Sequence, residues 1–281
     1  MVWALVCCWG TVPIAAAQEP VWKLPEGVQY AMEIREDPRP LRIHRLTIEL
    51  DHPSIQFAVA TGPDPDGDGP IEAQLTPPKQ LADATNALAL INTNAWSMFP
   101  DKETGKSPGY VAGGDADVLG WAAHGKSTIS AAQAGYWSCW MDQDRRVRIS
   151  NPEIDRDPGR SDSCLWAVSG FRGIVWEGRI LPEPSDVLHP RSALGLSKER
   201  TRMIWLVVDG RQPGYSEGVS EHELARLMIE SGCDQAINLD GGGSSIMLLR
   251  NPSGQLRAAN RPSDRTGHRP VPVALCLIPA E

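Results

Sequence analysis

Apolar positions along the chain come in short runs broken by turn residues, not in long stripes of helical period. Leu41–Leu50 and Ile55–Ala60 read as strands, followed by the turn-rich loop TGPDPDGDGP over 61–70. Thr76-Pro77 opens a short helix to about Asn86, with Thr as N-cap and Pro at the first helical position. Ala87–Asn92 is a buried strand. From 93 to 190, Gly-rich turns alternate with short aromatic strands such as Tyr136–Met141 and Leu165–Val168, the pattern of antiparallel meanders. Strands Ser192–Leu196 and Arg202–Val208 flank the charged turn 197–200. Ser220 and Glu223 form a capping box for a helix whose Leu224, Leu227, Met228 and Ser231 share a face, with Gly232 as its stop. Strands follow at Ala236–Leu239 and Ser245–Arg250, joined by a turn at Gly241–Gly243, and Val271–Ile278 closes the sheet.

The fold class is therefore α+β: a mixed, largely antiparallel twisted sheet, a few flanking helices, and one strand–helix–strand crossover in the C-terminal third. The first 17 residues are apolar, uncharged and end on Ala15-Ala16-Ala17, which predicts a cleaved signal peptide and a secreted or periplasmic protein. Residues 18–40 form a Pro-rich, charged, extended lead-in, and 41–281 a single domain. With 26 Gly and 24 Pro, a helical bundle is excluded. The net charge of −8 argues against nucleic acid as partner, so any anionic ligand needs a local pocket of arginines or amides. No segment is long enough for stable membrane insertion. Removal of the leader leaves Cys139, Cys164, Cys233 and Cys276; Cys139–Cys164 is the more plausible disulfide, the other two reading as core residues.

Two apolar strands stop on the same signature, Val208-Asp209-Gly210 and Leu239-Asp240-Gly241, with one helix between them. A strand–helix–strand unit makes such strands parallel, with a right-handed crossover. Asp209 and Asp240 then share one sheet edge, where ligands gather in such units. After Asp240 come Gly241, Gly242, Gly243, Ser244 and Ser245; three glycines suit close approach to a ligand, and their amides can cradle an anion. The competing reading is a tight hairpin.

The stretch INLDGGGSSIML, preceded by HPRSALGLS and WLVVDGRQPGYSEGVSEHELARLMIESGC and followed by AANRPSD and TGHRPV, resembles the phosphodiester glycosidase family. The resemblance spans about 85–278. It implies cleavage of a sugar-1-phosphodiester at the anomeric C–O bond, releasing free sugar and a phosphomonoester. Since a phosphate leaves readily as an anion, the site must stabilise its charge and support an oxocarbenium-like centre. On that basis Asp240 is assigned as nucleophile or base, Arg191 as phosphate clamp and Asp209 as an orienting group. Gly241–Gly243, Ser244, Asn94, Asn260, Arg261 and Arg269 are the candidate substrate contacts. The chain departs from the family pattern at Asn94-Ala95-Trp96, where Asn-Gly-Gly-Phe is usual, and at His268, where Glu is usual.

Asp64, Asp66 and Asp68 match the first half of a calcium loop, but Leu75 stands where a bidentate Glu is required, so a solvated acidic turn is expected and calcium is the alternative. The expected partner is a sugar phosphate or an extracellular or cell-wall glycopolymer. Trp96, Trp121, Trp137, Trp140, Trp166 and Trp176 raise a rival class, a non-catalytic glycan-binding protein, although tryptophans in alternating strands are more often core. A phosphodiesterase cleaving P–O is the third reading.

Overall fold

The computed structural model describes residues 22–100, 104–107, 109–151 and 164–280. The expected signal peptide lies outside these residues. A seven-stranded sheet runs in the order Val28–Arg35, Leu41–Glu49, Arg202–Val208, Arg191–Leu196, Gln235–Asn238, Arg172–Trp176, Arg179–Ile180. A five-stranded sheet holds Leu256–Ala258, Met247–Arg250, Ala89–Asn92, Val273–Ile278 and Gln56–Thr61. A second five-stranded sheet takes strands between Ala122 and Gly170, and a three-stranded one joins Ala73–Gln74, Asp115–Val118 and Trp96–Met98.

Side chains alternate across the strands, so one strand serves two cores. In Arg202–Val208, Met203, Trp205 and Val207 face a central core shared with Phe57, Ile91, Trp166, Met247 and Leu275 from the two five-stranded sheets. Ile204, Leu206 and Val208 face the other way, against Leu224, Leu227 and Met228 of the helix Glu221–Glu230. The short helix Pro78–Ala84 covers the outer face of the sheet that holds Ala89–Asn92 and Val273–Ile278, through Leu81 and Ala82.

The largely antiparallel sheet expected from the sequence is present, and the fold is richer in sheet than α+β implies: all ladders are antiparallel, and only two α-helices occur among the described residues where a few flanking helices were expected. Part of the lead-in, Val28–Arg35, pairs as an edge strand with Leu41–Glu49. The first helix begins at Pro78 because Thr76 bridges to Val271 instead of capping. The cysteine bridge is also corrected: Cys139 sits opposite Val168, Cys164 opposite Asp142, and all four described cysteines are free and buried.

The crossover has one extra member. Arg202–Val208 and Gln235–Asn238 both lie antiparallel to the intervening strand Arg191–Leu196, and are therefore parallel to each other. Their carboxyl ends share an edge with the start of the middle strand, which places Asp209, Arg191 and Asp240 together. After Asp240 the chain does not return as a hairpin. It makes one turn of 3₁₀-helix, Gly242–Ser244, and enters the other sheet at Met247. The glycine turn is the seam between two sheets.

Candidate active site

The seam is pinned from both sides. The Asp240 amide donates to the Thr93 carbonyl (2.9 Å) and the Gly242 amide to the Pro190 carbonyl (2.9 Å). Asn92, buried at the end of its strand, donates to the Asp240 carbonyl at 2.7 Å. Its own oxygen accepts from the Ser192 hydroxyl (2.8 Å) and the Ile246 amide (3.1 Å). One amide thus joins three segments, a use that its place in an apolar strand did not announce.

Asp240 is largely buried, and burial pushes its carboxyl up to about 6, against the opposing pull of Ser244, the Gly241 amide and Arg269. The Ser244 hydroxyl is near enough to favour the carboxylate without closing a hydrogen bond to it. The hydroxyls of Ser244, Ser245 and Thr93 and the side-chain Oδ1 of Asn238 are buried with no partner among the described residues.

Asp209 is different in kind. It is 1% exposed and serves as a collecting point. Its oxygens accept from the Arg261 amide (3.0 and 3.1 Å), Asn260 Nδ2 (3.1 Å), the Tyr215 hydroxyl (3.3 Å) and His44 Nε2 (3.3 Å). Because the carboxylate only accepts, Nε2 of His44 carries the proton there. His44 Nδ1 lies 2.9 Å from the Tyr30 hydroxyl, so a buried file of polar groups runs from Tyr30 to the sheet edge. A lone histidine on an apolar strand gave no signal of this in the sequence.

Three guanidinium groups surround the turn. Gly241 lies against the Arg191 stem, Gly242 against the Arg211 guanidinium and Gly243 against Arg269 and Asp264. A Cβ at Gly243 would collide with both members of that last pair. Arg191 is held loosely, 3.4 Å from both Glu221 and the Val219 carbonyl; burial lowers its pKa, with Glu221 opposing and Arg211 and Arg172 adding to the fall. Arg172 also reaches Glu221 (3.5 Å), so two cations share one carboxylate. Arg211 is exposed, donates to His189 Nδ1 (3.2 Å), and has no carboxylate partner among the described residues. It adopts a positive φ of 58°, a strained conformation for arginine that tends to persist at functional sites.

The other expected contacts divide. Arg269 forms a two-point pair with Asp264 (2.9 and 3.2 Å) and faces the site. His268 is exposed, and Asp264 is the residue of that segment that brings a carboxylate to the turn. Arg261 lies over the Tyr215 ring, 4.9 Å from its centroid, with its side chain exposed. Asn260 is buried, bonded to Asp209, the Ser245 carbonyl and the Met247 amide, and acts as a brace. Asn94 is 1% exposed, and its amide is taken up by the Leu119 and Trp121 carbonyls and the Ser169 amide. Four of the six tryptophans that suggested glycan platforms are core residues, Trp121, Trp137, Trp140 and Trp166. In the acidic loop, Asp64 accepts from the amides of Asp66 and Gly67, and Asp66 from that of Ile71, the geometry of a self-bonded turn.

The chain is similar over 92% of its length to the catalytic domain of zebrafish N-acetylglucosamine-1-phosphodiester alpha-N-acetylglucosaminidase, with a TM-score of 0.63, 19% identity and 86% of that chain covered. A protein structure from Synechocystis matches 90% of this chain and 62% of its own, with a TM-score of 0.57 and 14% identity. At these identities the likeness is one of fold. The SPbeta prophage-derived protein YomE of Bacillus subtilis (strain 168) is 42% identical over 128 residues, which cover 43% of this chain but only 19% of that relative. The phosphodiester glycosidase family model matches residues 60–278, a span that contains Asp209, Asp240 and all three turn arginines. The chain belongs to the phosphodiester glycosidase family.

Proposed function

We propose that this protein hydrolyses a sugar-1-phosphodiester at the glycosidic C–O bond, releasing free sugar and a phosphomonoester. The observation that carries the reading is the arrangement around Asp240: a carboxyl raised by burial and stabilised by Arg269, set before a glycine turn that Arg191 and Arg211 line. The phosphate leaves as a stable anion and needs little protonation. Arg191 and Arg211 hold its developing charge. Asp240 acts as carboxylate, either attacking the anomeric carbon or activating water. Asp209, saturated with donors, acts by positioning the Asn260-Arg261 segment and Tyr215 at the rim.

An extracellular or cell-wall glycopolymer is the proposed substrate, in keeping with the apolar, uncharged stretch over 1–17. The test is release of free sugar from an N-acetylglucosamine-α-1-phosphodiester by wild type and Asp240→Asn. Turnover by wild type and its loss in the variant support the reading. Turnover equal in both removes Asp240 from the mechanism, and sugar binding without turnover leaves a glycan-binding protein.

A further inference from the structure

The two sides of the glycine turn differ in charge. On the Gly242 side, Arg172 and Arg191 share the single carboxylate of Glu221, and the Arg211 guanidinium has no carboxylate partner among the described residues, which leaves an excess of positive charge. On the Gly243 side, the charge of Arg269 is neutralised by its two-point pair with Asp264. That second side also carries an aromatic wall. Tyr110 is 54% exposed although one face of its ring is covered by the Arg269 guanidinium, 4.2 Å from the centroid. Trp96 meets its edge, with centroids 6.1 Å apart at 85°, and the indole N–H of Trp96 is buried without a partner among the described residues.

We propose that Tyr110, Trp96 and the Asp264–Arg269 pair form the subsite that holds the pyranose ring of the substrate, with Tyr110 stacking on a sugar face. This rests on the reading that Asp240 serves a sugar-1-phosphodiester. A sugar ring is neutral, with C–H faces that pack on an aromatic ring and hydroxyls that pair with planar carboxylate and guanidinium groups. A charge-balanced pair beside an exposed ring matches that chemistry, whereas the Glu221 side matches an anion. Consecutive residues Gly242 and Gly243 face the two sides. Tyr110 lies on a loop whose sequence gave no motif, so only the fold brings it to Arg269.

The experiment compares binding of N-acetylglucosamine-1-phosphate and inorganic phosphate to the full chain by titration calorimetry, in wild type, Tyr110→Ala and Tyr110→Trp. Wild type is expected to prefer the sugar phosphate at least tenfold. Tyr110→Ala should bring the ratio of the two affinities to within threefold of one, and Tyr110→Trp should restore it. A ratio unchanged in Tyr110→Ala overturns the subsite, as does equal or undetectable binding of both probes by wild type. Binding and turnover separate the two proposals: Tyr110-dependent sugar binding without phosphodiester cleavage keeps the subsite and sinks the hydrolase reading. Cleavage with a Tyr110-independent affinity ratio does the reverse.

Discussion

Replacing Asp240 by Asn removes a carboxyl that the fold holds at a disadvantage, and the size of that disadvantage can be worked out. Burial raises its pKa from 3.8 to about 6, roughly two pH units. At about 1.4 kcal/mol per unit, ionised Asp240 costs the native state about 3 kcal/mol. The sign follows from proton uptake. Between 3.8 and about 6 the native protein holds a proton that the unfolded chain has released, so stability falls as pH rises through that window and levels off above it. Asp240→Asn has no such proton. Its stability relative to wild type should therefore improve by about 2 kcal/mol between about pH 4.5 and pH 8, while its turnover is lost. Urea denaturation of both proteins across that range reads the difference directly. A stability of the variant relative to wild type that stays constant with pH, or that falls toward pH 8, would refute the claim that burial raises this carboxyl.

Further outcomes follow from the same geometry. With Asp240 needed as carboxylate, kcat should fall tenfold per pH unit on the acid side of about 6, and a pH–rate profile flat down to pH 4.5 excludes it as the ionised catalyst. Asn92→Ala leaves the Asp240 carbonyl and the Ser192 and Ile246 donors without their shared partner; a loss of about 2–4 kcal/mol in denaturation is expected, and under 1 kcal/mol would contradict its role as brace. Arg211→Gln should raise KM for the phosphodiester about tenfold with the fold intact by circular dichroism, and an unchanged KM removes Arg211 from the clamp. Gly243→Ala drives a methyl into the Asp264–Arg269 pair, and kcat/KM should fall by tenfold or more.

The sheet edge that carries the site was legible because both strands end on Asp-Gly and one capped helix joins them. The middle strand was not placed by that pattern, and with it the reason Arg191 lies between the two acids. The glycine turn was recognised as more than a hairpin, yet its role as a passage between sheets depends on Thr93 and Asn92, about 150 residues earlier. His44, Arg211 and Tyr110 carry no local signature. Their importance comes from contacts at long sequence separation, such as His44 with Asp209 and Tyr110 with Arg269. Asn94 shows the opposite case, a polar residue near a motif whose side chain is bonded to backbone groups.

The measurement that bears most directly on the central claim is hydrolysis of an N-acetylglucosamine-α-1-phosphodiester in ¹⁸O-labelled water, followed by mass spectrometry of both products. Attack at the anomeric carbon beside Asp240 places the label on the released sugar and leaves the phosphomonoester unlabelled. Label on the phosphate would mean that the P–O bond is cleaved, and would contradict the account.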